Sequence, residues 1–436
     1  MRARGQPEKV GNRGAEKLLL GRLRSRQRWA LFRVHERETC AHSPRLLDII
    51  ARVRDSILLP LLLGLAALTT VAAVAQQAPI ASPEVQSDNR VTFRFRSPNA
   101  QIVELQLEGT MQHLPLLKDD AGVWSVTTNQ LEPDYYGYSF IADGVALIDP
   151  SNPLMKPNLT GTQSMVHVPG PSSLPWEVNE IPHGVVHRHF YKSGVAGDQR
   201  DYYVYTPPGY DAAAKISYPV LYLLHGYSDD ASAWTAVGCA NVILDNLIAQ
   251  KKARPMVVVM PLGYGEPKIL APGSHGLRND ELRRRNLEKF RTSLLQEVMP
   301  RVEKEYAAAK DASSRAIAGL SMGGAESLFV GLTSAGRFGW IGAFSTGGLS
   351  EEFDQQFAGM RSKEVAKLSL LWIACGKEDH LFESNQKLRE WLTSKGVKHT
   401  DVDTPGAHTW TVWRRNLAIF VPLLFQNTES SQSAER

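Results

Sequence analysis

The chain has 436 residues, 43% of them hydrophobic and 22% charged, enough for one large domain with a smaller one around real apolar cores. Its formal charge of +4 is unevenly placed: residues 1–55 hold 14 Lys/Arg and 6 Asp/Glu, so the remainder is net −4. A folded part that is net acidic and lacks a basic stripe excludes nucleic acid as its partner.

Residues 1–52 form a basic leader poorly suited to folding, which points to a start codon set too far upstream, with Val53 or a nearby codon the true one. Residues 53–75 then read as a signal peptide: Arg54 precedes the apolar run "ILLPLLLGLAALTTVAAVA", and Ala73-Val74-Ala75 offers a small-x-small cleavage site before Gln76. The run is also just long enough to span a membrane as an uncleaved anchor. Cleavage is the expectation, with a periplasmic or secreted product and no stable membrane association. Of the three cysteines, Cys40 is lost on cleavage, and Cys239 and Cys375 permit one disulfide but no framework. Cys375 ends an apolar run and reads as a buried thiol, and the spacing fits no zinc site.

After a linker at 76–86, residues 87–170 read as a small all-β sandwich. "RVTFRFRSP" alternates, with Val91, Phe93 and Phe95 on one face. Tyr136, Tyr138 and Phe140 are in phase, and Asp143-Gly144 signals a hairpin. A second linker, 171–185, holds "PGPSSLPWE".

From 186 to 426 the pattern changes. "YPVLYLLHG", "PMVVVMPLG", "RAIAGLS", "WIGAFS" and "LSLLWIACG" are nearly continuous apolar runs, as strands covered on both faces require. Between them lie helical segments: "FRTSLLQEVMPRVEKEY" carries Leu294, Leu295, Val298 and Val302 at helical spacing, and "LFESNQKLREWLTSKG" ends at Gly396. Strand–helix alternation predicts a mostly parallel sheet with helices on both faces and a site at the carboxyl ends of the strands. Residues 427–436 are a polar tail.

The chemistry-bearing residues follow those strands. Gly319-Leu320-Ser321-Met322-Gly323 is a G-x-S-x-G that closes a strand and opens a helix, so Ser321 is the candidate nucleophile. "LLHGYSDDASAW" follows another strand; the amides of Tyr227 and Met322 are the candidate oxyanion donors, and His225 shapes the loop. Trp234 is a candidate pocket wall or a core residue. On this architecture the acid and then the base follow the nucleophile. Three histidines lie downstream of Ser321. His399 starts a strand, the wrong end, and His380 abuts a helix. His408, in the turn "TPGAHTW" beside Trp410, is left as the base. The acid belongs on the turn "GKEDHL", where the short Asp379 is favoured over Glu378.

Together these motifs resemble the esterase family of α/β-hydrolases that includes the feruloyl esterases of carbohydrate esterase family 1, the enterochelin esterases and the mycolyltransferases. "YYVYTPPGYD", "YPVLYLLHGYSDDASAW", "AGLSMGGAESL", "ACGKEDHLFESN" and "PGAHTW" carry the resemblance over about 186–425. Residues 87–170, with "KDDAGVWSV" and "YYGYSFIADGV", are similar to the early-Ig-like sandwich, related to glycogen-binding modules, that often precedes such esterases. The resemblance implies a Ser321–Asp379–His408 triad with Tyr227 and Met322 as oxyanion donors, and no cofactor; Trp234 and Trp410, flanking these residues in sequence, are the candidate substrate contacts, and no metal is expected. The expected fold is an α/β-hydrolase preceded by a small all-β sandwich. The expected function is that of an exported serine carboxylesterase acting on feruloyl or acetyl esters of plant polysaccharide. A siderophore esterase and an acyltransferase share the mechanism; a non-catalytic glycan-binding protein would have lost part of the triad. The sandwich is expected to pack on the hydrolase as a spacer or wall with Trp124 and Tyr135 in its packing, the alternative being glycan binding through them.

Overall fold

The computed structural model describes residues 79–426 except 214, 215 and 335. The leader, the signal peptide, Cys40 and the tail lie outside the described residues.

The first ten strands are short and antiparallel. One sheet has the order β1-β2-β6-β5, from Glu84–Val85, Val91–Arg96, Val123–Thr127 and Leu117–Lys118. The other has the order β4-β3-β7-β10-β9, from Leu114–Pro115, Val103–Leu107, Asp134–Ala142, Gln163–Val168 and Met155–Lys156, with β8 (Val145–Leu147) also on β7. The period-two pattern decides what fills the space between them: Val91, Phe93 and Phe95 meet Tyr136, Tyr138 and Phe140 in one core. Phe93 and Tyr138 are edge-on at 4.6 Å between centroids. The β7–β8 turn is made by Asp143 and Gly144, both at positive φ, the two-residue hairpin its sequence demands. Trp124 is buried here and donates from Nε1 to the Ser97 carbonyl at 2.8 Å. Tyr135 stacks on His167 at 4.2 Å. Both are packed, so neither offers a free stacking face.

Eight further strands form one sheet in the order β11-β12-β14-β13-β15-β16-β17-β18. They span Val185–Lys192, Gln199–Thr206, Val257–Pro261, Val220–Leu224, Arg315–Leu320, Trp340–Phe344, Leu370–Gly376 and Thr400–Thr404 respectively. β14 through β18 run parallel, and β11 and β12 are antiparallel at one edge. β13 to β16 are buried at every position, which is why their sequences are apolar but for Arg315 at the start of β15, which pairs with Glu303. An apolar layer covers each face of the sheet, one containing helix Met322–Thr333, the other helices Ala240–Ala249 and Trp410–Phe420.

Two segments depart from expectation. Leu294–Val298 is a π-helical turn between helices Asp280–Ser293 and Met299–Glu305; Leu294, Val298 and Val302 are buried, whereas Leu295 is only partly so. Residues 171–185 are no loose linker. Trp176 is buried in the core of the large sheet, Asn246 donates from Nδ2 to the Pro175 and Glu177 carbonyls, and His183 pairs with Asp245. Cys239 and Cys375 are both buried free thiols, and burial pushes Cys375 up to about 12. Among the described residues no helix is long and apolar enough to cross a membrane.

The small sheets are bolted to the large one by a fully buried ion pair. Arg414, on helix Trp410–Phe420, donates from Nε to Oδ1 of Asp134, the first residue of β7, at 2.8 Å. Its Nη1 donates to the Val237 carbonyl at 2.7 Å and its Nη2 to that of Tyr135.

Candidate active site

Ser321 sits between β15 and helix Met322–Thr333 with φ 51° and ψ −115°, a region L-residues avoid, at a cost of about 1–3 kcal/mol. The turn is held by its neighbours: the Ser321 amide donates to the Phe344 carbonyl at 2.8 Å, and its carbonyl accepts from Gly347 at 3.0 Å. Glycine is forced on either side. A Cβ on Gly319 would lie 2.5 Å from Gly323 backbone, and one on Gly323 would lie 2.5 Å from the His225 carbonyl.

The partners arrive from the next strand ends. His408 Nε2 is 3.0 Å from Ser321 Oγ, and its Nδ1 is 2.8 Å from Asp379 Oδ2. Nδ1 therefore carries the proton toward the carboxylate and leaves Nε2 free to accept from the hydroxyl. Burial by itself raises the Asp379 carboxyl, but His408, the Leu381 amide and the Ser345 hydroxyl outweigh it and hold the group below its usual range. The Leu381 amide donates to Asp379 Oδ1 at 2.8 Å. The turn after β17 can meet the His408 turn because Gly376 has no side chain: a Cβ there would be 2.0 Å from the Gly406 carbonyl. Glu378, the competing acid, accepts from the Gly406 amide instead and does not contact the imidazole. His380 stands beside the site, its side chain 70% exposed and its ring 4.8 Å from that of His408. His399 is remote from it, bonded to the Val397 carbonyl at 2.8 Å.

The amides of Tyr227 and Met322 donate to no acceptor among the described residues. That of Met322 opens a helix, whose first N–H groups have no intrahelical partner and whose dipole favours negative charge. A Cβ on Gly226 would lie 3.4 Å from that of Ser321, so the Gly226-Tyr227 turn abuts the nucleophile. His225 is structural: Nδ1 donates to the Gly226 carbonyl at 2.8 Å, Nε2 accepts from the Gly263 amide at 2.8 Å, and burial lowers the ring to about 4.

Ser321 and His408 open on a cleft of about 210 Å³ whose wall includes Tyr227, Trp410 and Trp413. Trp234 is not part of it. It is 1% exposed, donates to the Leu224 carbonyl at 2.9 Å and packs edge-on against Trp410, so its place is the core and the wall reading is corrected. Trp413, which sequence patterning passes over as one more apolar helix position, stands edge-on to His408 at 4.8 Å.

The opposite wall comes from the N-terminal sheets: Glu108, Lys156, Asn158 and Gln163. Glu108 accepts from the Trp410 amide at 2.8 Å, from the Gly137 amide at 2.9 Å and from Lys156 Nζ at 3.0 Å. Burial raises its carboxyl, but Lys156, Arg414 and the two amides outweigh that and keep it low. Asn158 reaches across to the oxyanion turn, donating to Ser228 Oγ at 2.8 Å and Asp229 Oδ1 at 3.1 Å. The sandwich is thus a wall of the cleft and not a spacer.

On helix Met322–Thr333, Glu326 is fully buried; its Oε1 accepts from Asn286 Nδ2 at 3.0 Å and its Oε2 has no partner among the described residues. Burial holds the carboxyl well above its ordinary 4.5, so the folded chain keeps a proton that the unfolded chain releases. Its contribution to stability is full below about pH 4.5 and is lost as pH rises towards the folded-state value. Glu326→Gln is therefore expected to gain melting temperature relative to the wild type as pH rises from 5 to 8. A difference that stays constant with pH in thermal melts would show that Glu326 is ionised in the fold.

Comparisons with known proteins place the chain among esterases. The Putative esterase family matches residues 193–423. An endo-1,4-β-xylanase/feruloyl esterase of Xylanibacter ruminicola is 31% identical over 355 residues, 79% of this chain and 46% of that protein. The chain thus spans about half the length of this curated relative. A ferulic acid esterase from Anaeromyces mucronatus superposes with a TM-score of 0.51 at 24% identity, over 59% of this chain and 96% of its own. An enterochelin esterase from Shigella flexneri gives 0.60 at 20% identity, over 80% of this chain and 96% of its own. At such identities the structures speak for the fold, which is of the α/β-hydrolase type. The family match covers more than half of the sequence and takes in the candidate nucleophile, acid and base alike, and so the chain belongs to the Putative esterase family of carboxylic ester hydrolases.

Proposed function

We propose that the chain is a serine esterase that hydrolyses feruloyl or acetyl esters of plant polysaccharide through an acyl-enzyme on Ser321. The observation that carries the mechanism is the unbroken hydrogen-bonded line from Ser321 Oγ through His408 to Asp379, built on a strained turn. Ser321 attacks the ester carbonyl carbon as its proton passes to His408 Nε2. The carbonyl oxygen becomes an oxyanion facing the Tyr227 and Met322 amides. As the tetrahedral intermediate collapses, His408 returns the proton to the departing alkoxide and the acyl group stays on Ser321. Water then repeats the sequence, and Asp379 holds the imidazolium each time.

The xylanase/feruloyl esterase relative supports the acyl group. The wall chemistry speaks against a polyanionic siderophore, since Lys156 stands with Glu108 and Asp229 around the cleft and is already paired to Glu108. The signal peptide read at 53–75 supports work outside the cytoplasm. On a panel of purified esters, methyl ferulate, feruloylated arabinose and acetylated xylose are expected to be cleaved ahead of long-chain esters. Activity confined to catecholate siderophores, or a long-chain lipase profile, would sink this reading.

A further inference from the structure

The cleft beside Ser321 is polar where it meets the N-terminal sheets. Lys156 and Asn158 flank it from one side and Gln163 from the end of β10, while Asp229 faces them from the oxyanion turn. We propose that Lys156, Asn158, Gln163 and Asp229 form the subsite for the leaving alcohol, and that this alcohol is a neutral polyhydroxylated group, a sugar ring. The inference rests on the esterase reading above and adds to it which residues recognise which half of the ester.

The direction follows from the reaction. The leaving oxygen must lie where His408 Nε2 can protonate it, and the oxyanion must lie toward Tyr227 and Met322. The alcohol therefore departs past His408. On that side the Trp410 amide is held by Glu108 and the wall continues to Lys156. This wall mixes donors and acceptors: an ammonium, two amides and a carboxyl. A ring with several hydroxyls can add hydrogen bonds to such a set, whereas a bare alkyl group offers it none.

The charge pattern argues for a neutral ligand. Lys156 is already matched by Glu108 at 3.0 Å, so it has no spare charge for an anion. Asp229 is 5% exposed, and its Oδ1 accepts from Asn158 at 3.1 Å. Burial pushes its carboxyl up to about 7 against the pull of Lys156 and Asn158, so it can donate as well as accept near neutrality. The subsite is also pinned to the machinery. The Leu159 amide donates to the Ser228 carbonyl at 2.7 Å, beside the Asn158 side chain's own bonds to Ser228 and Asp229.

The test is a ratio. For each enzyme, kcat/KM on a sugar ester is divided by kcat/KM on the methyl ester of the same acid, ferulate or acetate, whichever the wild type hydrolyses faster. Gln163→Ala and Asp229→Ala are each expected to lower this ratio about tenfold, the scale of one lost hydrogen bond to a buried polar group. Gln163→Ala alters only a half-buried strand-end side chain, so it keeps the test informative if Asp229→Ala misfolds. Ratios within twofold of wild type in the folded variants would overturn the subsite while leaving the esterase reading in place. A wild-type chain inert towards every ester would overturn that reading, and the subsite with it.

Discussion

Ser321→Ala and His408→Ala are expected to lower kcat by about 10⁴–10⁶ on an activated ester, and Asp379→Asn by about 10³–10⁴. Removing the serine abolishes the covalent route, and removing the imidazole leaves Ser321 without the base that takes its proton. Removing the carboxylate leaves His408 without the group that fixes its tautomer and balances its charge. Glu378→Gln and His380→Ala should cost about tenfold or less, because Glu378 binds the Gly406 amide and His380 is largely exposed. Steady-state assays on the five purified, folded variants decide it. A crippled Glu378→Gln beside a near-normal Asp379→Asn would reverse the choice of acid, and an active His408→Ala would remove the base.

The second large effect concerns the buried Asp134–Arg414 pair. Asp134→Ala leaves a guanidinium with 0% side-chain exposure without its counter-charge, and breaking such a pair costs about 3–5 kcal/mol. Burial pushes the Asp134 carboxyl up in spite of Arg414 and Arg415, which marks how dry the seam is. A chain beginning near Pro182 removes Asp134, Glu108 and Lys156 together. It is expected to melt well below the full chain and to lose activity even on small esters, since Glu108 no longer holds the Trp410 amide two residues from His408. Thermal melts and assays of both forms test this. A truncated chain with full stability and full activity would return the sandwich to the role of spacer.

The candidate nucleophile, acid and base that the structure brings together were legible because each is tied to a local signal. An apolar strand ends, small residues turn the chain, and the reactive side chain stands on that turn. The order along the chain then left few candidates. Trp234 could not be placed the same way: a tryptophan after the oxyanion turn has the same local pattern whether it faces cleft or core, and only packing against Trp410 and Phe344 decides. Glu108, Lys156 and Asn158 were invisible for a related reason. In sequence they are ordinary polar positions of a small β-sheet region, and their meaning depends on a surface contributed by residues some 70 to 300 positions away. Arg414 likewise reads as one of two adjacent arginines in "TVWRRNLAIF". The π-turn at Leu294–Val298 changes the phase of a helix without changing its apolar composition, so its pattern predicted burial better than geometry.

The Asp134–Arg414 seam joins positions 280 residues apart. Its two members constrain each other's evolutionary drift: a neutral residue at one position strands a charge at the other, so substitutions there should be inherited as a pair. The N-terminal sheets are accordingly a poor cassette for exchange between relatives. A chimera that imports them from another chain must import a matching partner for Arg414, or replace both charges at once with apolar residues of similar volume.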